Sequence, residues 1–400
     1  MTKKLVIGFV AVMALGSVSR AATITVDNDG AQCPNATHTS IQAAVTAANP
    51  GDTIRVCPGT YAEQVVINKN LKVEGFAVGN ENLALIMPAG VVANSFSLTS
   101  ASPIAGIIVV DGASNVSLTN LTVDGAANGI SGCAPTFVGV YYRNSSGKMN
   151  AMAVRNIRHG AGFEGCQSGL GIFAQSGGGG SAKLEVTNSS VHDYQKNGIT
   201  ANEAGTELTA RGNAVTGFGV SPIIAQNGIQ VGFGAKGTIE ENSVINHIYG
   251  PCTPTDCGAV ATSVLGFESP SLKVKKNNLG KSQVNVYIDT VNGAEISNNV
   301  IFDTDVFDGI FVAGNNSKIE KNTIFNSDEA AVWVDGNNNN VRENTINEAP
   351  IGVYQAGTGN SVTGNKFFNT EMNTDSGAPI APTALSRSSV PARAGASPLR

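Results

Sequence analysis

The chain has 400 residues, a net charge of −5 and only 14% charged residues, which leaves no basic footprint for nucleic acid. A total of 47 glycines and an abundance of asparagine, in a chain that is 42% hydrophobic, point to many tight turns rather than many helices. Predominantly helical folds and disordered polyelectrolytes are therefore excluded at the outset.

The chain opens MTKKLVIGFVAVMALGSVSRAATITV. Lys3 and Lys4 form a basic start, Leu5 to Leu15 an apolar run too short to span a bilayer, and SVSRAA a small-residue cleavage site near Ala21 or Ala22. Residues 1–22 read as a secretory signal peptide, so a secreted or periplasmic protein is expected. No later run is long and apolar enough for a membrane span. Export permits disulfides. Sequential pairing, Cys33–Cys57, Cys133–Cys166 and Cys252–Cys257, is the simplest connectivity, and no Cys-x-x-Cys pair or suitably spaced histidine favours a metal site instead.

Next comes a short helix, expected over 39–49. Thr39-Ser-Ile-Gln42 has the form of a capping box, Ile41, Ala44, Val45 and Ala48 share one face, and Asn49-Pro-Gly51 stops the helix. Beyond it the chain repeats itself. NNVIFDTDVFDGIFVAG is followed by KNTIFNSDEAAVWVDG, then ENTINEAPIGVYQAG, then GNKFFN. Aligned on Asn278, Asn299, Asn322, Asn344 and Asn365, the units are 21, 23, 22 and 21 residues long. The same unit recurs more loosely at Asn120, Asn156, Asn188, Asn213 and Asn242. Periods of this size mean a solenoid, and short β-branched strands with Gly and Asn between them mean a parallel β-helix. The asparagines themselves read as a corner ladder, since Asn tolerates left-handed backbone and amides bond along the stack. The helix then caps the open end of the first coil. After residue 369 periodicity stops, and 370–400, rich in Pro, Ala and Ser, reads as a disordered tail.

The segment TSIQAAVTAANPGDTIRVCPGTYAEQVVINKNLKVEGF resembles the start of right-handed parallel β-helix proteins of the pectin-lyase-like superfamily, and the Asn-x-Ile and Gly-Ile-x-Val units resemble their repeats. The resemblance covers about residues 24–369. It implies an all-β, right-handed parallel β-helix solenoid with a short N-terminal capping α-helix over 23–369. It also implies extracellular polysaccharides, uronate polymers among them, as the substrate class. Lyases, hydrolases, epimerases, adhesins and periplasmic maturation factors all share the fold, so chemistry is a separate question.

Within the repeats, the outward position of each Gly-Ile-x-Val strand carries Tyr287, Phe311, Trp333 and Tyr354. With coils about 4.8 Å apart, four rings form a row roughly 14 Å long. The next outward position carries Asp289, Ala313, Asp335 and Ala356. Aromatic faces stack on pyranoses and carboxylates accept sugar hydroxyls, so the four rings are candidate substrate-binding residues for a polysaccharide. Plain cross-strand stacking under a loop or tail is the competing reading. Asp289 and Asp335, two coils apart, are candidate catalytic carboxylates, at the spacing of an inverting glycosidase. Upstream the column continues through Thr200 and Gln230, while GAVATSVLGF between them and the rings does not align.

A lyase would need a lysine or arginine base and usually calcium. No cofactor is required by the sequence; calcium is the one candidate, at Asp303, Asp305 and Asp308 of FDTDVFDG, although the spacing is not an EF-hand's. VWVDG resembles a Val-Trp-Ile-Asp-His run of pectate lyases, with Gly336 in place of the histidine. The polygalacturonase Gly-His-Gly and Arg-Ile-Lys motifs are missing. His159, His192 and His247 read as surface turn residues, with Arg158 beside His159 a minor base-and-cation candidate. Long loops near 131–170 and 250–258 are expected to wall a groove. The expected function is polysaccharide binding, with or without cleavage, by a monomer; a non-catalytic adhesion or maturation β-helix is the alternative.

Overall fold

The computed structural model describes residues 21–253 and 257–375. The expected signal peptide, apart from Ala21 and Ala22, and the last 25 residues of the expected tail lie outside them. Each coil contributes three short strands, and successive coils pair in parallel, which generates three sheets running the length of a parallel β-helix.

The first sheet has 13 strands, from Thr23–Val26 to Ser361–Thr363. Its alternation is plain in Lys183–Thr187, where Leu184 and Val186 enter the core and Lys183 and Glu185 face water. The outward charges pair between coils, as Lys148–Glu185, Lys183–Glu207 and Lys273–Glu295. These exposed pairs each add little stability and keep the face solvated. The second sheet holds strands such as Leu121–Asp124, Ala153–Arg155 and Ala214–Ser221. The third holds Pro103–Asp111, Thr136–Arg143, Leu170–Gln175, Asn197–Asn202, Asn227–Gly232, Thr262–Phe267, Val284–Asp289, Ile310–Val312 and Ala330–Val334. One continuous apolar core of Val, Ile, Leu and Ala fills the interior. Its residues come from every coil, so each coil buries a surface that it could not bury alone.

The N-terminal helix spans Ile41–Ala47 and packs Ile41, Ala44 and Val45 into the first coil with Val26, Ile54 and Val56. Its cap differs from the expected box: Ser40, not Thr39, is the N-cap, and accepts from the Ala43 N–H. Glu63, far along the chain, takes the Ile41 and Gln42 N–H groups. Gln42 is thereby freed to bond both the N–H and the carbonyl of Val66. At the other end the final strand, Lys366–Asp375, runs past residue 369, because Asn347 and Phe368 keep the coil register on into Ala349–Thr370 and beyond.

The corner between the first and second sheets carries the asparagine ladder. Asn213, Asn242, Asn277, Asn299, Asn322, Asn344 and Asn365 each pass an amide hydrogen bond to the next. The ladder residue of its coil is Asn277, and Asn278 is exposed at the head of a strand; the doubled asparagine hid a one-residue offset. Likewise Ser189 takes the place expected of Asn188, which adopts the left-handed turn instead. All three disulfides pair sequentially, as expected.

Candidate functional site: the outward face of the third sheet

The third sheet is the only one of the three whose outward side is largely buried along most of its length among the described residues. Three outward columns follow its strands. The first runs Leu170, Asn197, Asn227, Thr262, Val284; the second runs Val109, Tyr141, Phe173, Thr200, Gln230, Leu265, Tyr287, Phe311, Trp333, Tyr354. The third passes through Arg143, Gln175, Asn202, Gly232, Phe267 and Asp289. The four predicted rings are therefore in register on successive coils, and Leu265 fills the place that GAVATSVLGF left unaligned.

The rings alternate with core residues as expected. Val286, Ile288, Ile310, Val312, Val332 and Val334 belong to the interior, and Tyr287, Phe311 and Trp333 to a second apolar cluster with Val260, Val284 and Phe307. Tyr287 and Phe311 meet at a tilt with centroids 4.7 Å apart, and Trp333 stacks on Tyr354 at 3.9 Å. The strip is outward yet not open: Trp333 is 2% exposed, and Tyr354 is half-buried. The Trp333 indole N–H donates to Asp335 Oδ1 at 2.6 Å, which accounts for the carboxylate beside the lone tryptophan. Asp289 accepts from the Thr290 hydroxyl at 2.8 Å and occupies the equivalent outward position two coils away.

Between the apolar N-terminal end, where Leu170 and Phe173 pack with Tyr141, and the aromatic C-terminal end lies a polar centre. The Asn197 amide donates to Gln230 Oε1 at 2.9 Å and to Thr200 at 3.2 Å. Asn227 donates to Asn197 at 3.1 Å, Thr262 to Asn227 at 2.9 Å, and Gln230 to Asn202 at 2.9 Å. A mesh of amides is thus followed, across Leu265, by a row of rings.

One corner of the solenoid walls this face. Loops 125–135, 156–169 and 222–226, and the described residues 250–253 and 257–261, each lie between a strand of the second sheet and one of the third, so all belong to the same edge. The Cys133–Cys166 disulfide links the first two. Three glutamines, each at the foot of a third-sheet strand, hold the wall down. Gln195 donates to the Phe163 and Cys166 carbonyls, Gln226 to those of Tyr194 and Gln195, and Gln283 accepts from Tyr249 and Ala261. Lys196 adds a buried ammonium that donates to the Ala225 carbonyl at 2.7 Å, and burial lowers its pKa to about 8. None of the four stands out in the sequence by itself, although Gln195 and Gln226 each lie one to two residues before an Asn-Gly-Ile run.

The remaining predicted residues are placed as follows. Asp303 accepts from Asn326, Asp305 is raised in pKa by burial and then by Asp328, and Asp308 is buried. Their carboxylates do not converge; among the described residues the only converging trio is Asp27, Cys33 and Cys57, whose two sulfurs are in a disulfide. Two of the histidines are interior rather than surface residues. His247 is fully buried against the Tyr194 hydroxyl and near Ser282, and burial lowers its pKa to about 3. His159 is buried against Ser168. At Gly336 a Cβ would stand 1.9 Å from the Gly314 carbonyl oxygen, so this backbone has no room for the histidine of the pectate-lyase run. No helix among the described residues is long and apolar enough to cross a membrane.

A sequence model described as the right handed beta helix region matches residues 170–381. Comparison with curated protein sequences gives no match. Among solved structures, the GH136 lacto-N-biosidase from Eubacterium ramulus superposes with a TM-score of 0.59 at 10% identity, over 87% of this chain and 68% of that one. The A-module of the Azotobacter vinelandii mannuronan C-5 epimerase AlgE4 gives 0.52 at 15% identity, over 86% of this chain and 94% of that one. The periplasmic alginate epimerase AlgG gives 0.52 at 13% identity, over 80% and 77%. At these identities the likeness is one of fold.

Proposed function

The chain belongs to the right-handed parallel β-helix family of the pectin-lyase-like superfamily, and from that premise we propose that it is an exported protein that binds an extended polysaccharide along the outward face of its third sheet. One observation carries the reading: amide donors and acceptors at Asn197, Asn227, Gln230 and Asn202 are followed, one coil on across Leu265, by the in-register rings of Tyr287, Phe311, Trp333 and Tyr354, along the axis and beside a loop wall. Amides match sugar hydroxyls, rings match pyranose faces, and the coil spacing of about 4.8 Å, close to the length of one sugar residue, puts a new contact under each residue of an extended polymer. The action of the fold neighbours on glycans, as their names give it, agrees with this substrate class. The face is closed in this structure, so the complex forms with the face uncovered.

Within the same proposal Asp289 and Asp335 are the acid and base of an inverting hydrolysis, at a backbone separation of about 9–10 Å. Affinity electrophoresis across uronic and neutral polysaccharides tests the binding. The wild-type protein is expected to be retarded by at least one polymer, and Trp333→Ala and Gln230→Ala to lose that retardation. Wild-type migration unaffected by every polymer, or equal retardation of both variants, sinks the reading. Product screening for new reducing ends then tests Asp289→Asn and Asp335→Asn, each expected to abolish release while leaving retardation intact.

A further inference from the structure

The outward columns of the third sheet are buried where an outermost layer would be solvated. On the first sheet the outward side chains of Lys148, Lys183 and Glu207 are more than half exposed. On the third, Thr200, Asn202 and Gln230 are 0% exposed, and Tyr287, Phe311 and Trp333 between 2% and 4%. Side chains that point away from the core are buried to this degree only beneath a further layer of chain, and a polar mesh needs a layer with hydrogen-bonding groups. At the N-terminal end residues 95–102 supply one. The Leu98 N–H donates to Gln175 Oε1 at 3.0 Å, and the Gln175 amide donates to Ser97 and Thr99, each at 3.2 Å. From Asn197–Asn202 to Ala330–Val334, no strand or helix among the described residues lies across the outward side.

The described chain ends at that face. Asp375 pairs with Tyr354, so it continues the second outward column one coil beyond the ring row, and residues 376–400 depart from there. Thr200 lies seven coils back along the column. That distance is about 34 Å, which an extended chain at about 3.1 Å per residue crosses in about eleven residues. The chemistry matches as well. Residues 376–400 hold Arg387, Arg393 and Arg400, no acidic residue, and four prolines, which favour an extended chain and cannot donate to a strand ladder. The face is edged with carboxylates. Asp289 and Asp335 occupy its third column, and Glu203, buried, follows Asn202. Asp308, also buried, falls beside Val284 in the first column when the Val286–Ile310 register is extended by two residues.

We propose that residues 376–400 fold back along the third sheet, over the rings and onto the amide mesh, as a strap that occupies this face. Burial, register, reach and charge carry the strap itself. Its regulatory meaning rests on the polysaccharide reading above: strap and polymer compete for the same rings and amides, so an incoming polymer displaces the strap.

Trp333 is the only tryptophan of the chain, so its fluorescence reports on this face alone. Acrylamide is expected to quench the full-length protein weakly. The triple variant Arg387→Glu, Arg393→Glu, Arg400→Glu should be quenched at least threefold more strongly, with an unchanged far-UV circular dichroism spectrum. A synthetic peptide of residues 376–400, added at millimolar concentration to stand in for the tethered segment, should restore the protection. Equal quenching of wild type and variant, or no protection by the peptide, overturns the strap. Wild-type quenching that falls with rising protein concentration assigns the face to a second copy of the chain and overturns it as well. In affinity electrophoresis, a polymer that retards the wild type should retard the triple variant at least threefold more, and equal retardation overturns the competition. Uncovering of Trp333 with no retardation by any polymer sinks the polysaccharide reading and leaves the strap standing.

Discussion

At the scale of single residues, the asparagine ladder shows how much one side chain can carry. Asn299 accepts from both the backbone and the amide of Asn277, and its own amide donates to the Val274 carbonyl and to Asn322. Asn299→Ala leaves at least two buried backbone groups without partners, at about 1–3 kcal/mol each. A loss of roughly 2–5 kcal/mol in urea unfolding is expected, against under about 0.5 kcal/mol for Asn278→Ala, whose side chain is exposed. The repeat spacing made the ladder legible, but Asn277 and Asn278 could not be told apart by counting. The choice rests on which of the two enters the corner, and that depends on the neighbouring coils. Trp333 is parallel to this: its outward direction follows from the strand period alone, while its burial and its bond to Asp335 do not.

At the scale of elements, the projecting loops depend on the glutamines beneath them. Gln226 takes the Phe218 N–H and returns two hydrogen bonds to the backbone of 194–195, so it fastens the end of the strand Ala214–Ser221 and the loop 222–226 to the preceding coil. Gln226→Ala is expected to raise the rate of limited proteolysis within 217–226 several-fold, read by mass spectrometry of the fragments, with the remaining coils intact. An unchanged cleavage rate would show that Lys196, bonded to the Ala225 carbonyl, holds the loop alone. The N-terminal helix makes the complementary point. Its apolar face was legible from i, i+3, i+4 spacing, yet its cap was not, because the acceptor for its first N–H groups is Glu63, about twenty residues on.

For the molecule as a whole, the interior carries a polar thread as well as an apolar core. Tyr194, His247, Ser282 and Ser263 bond from one to the next across three coils inside the solenoid. His247 has a folded-state pKa of about 3 against an ordinary value near 6.5, the cause being burial. The unfolded chain therefore takes up a proton below about pH 6.5 that the folded chain refuses until about pH 3. Stability is fully present above the unfolded pKa and falls as pH drops through that window, with a slope of up to about 1.4 kcal/mol per pH unit from this group. Urea unfolding between pH 7 and pH 4 should show the decline, and His247→Gln should flatten it relative to wild type; parallel pH profiles would remove His247 as the cause.

What the sequence determined by itself was everything with a period: the solenoid, its parallel strands, the helical cap and the in-phase column of Tyr287, Phe311, Trp333 and Tyr354. Periodicity is a local property, because each coil repeats the same inward and outward alternation. Only the tertiary structure decided which outward columns are solvated and which are buried, which glutamine reaches which loop, and that His159 and His247 lie inside. Those outcomes depend on contacts between residues some 20 to 50 positions apart, across coils of unequal length, and no window along the chain contains both partners.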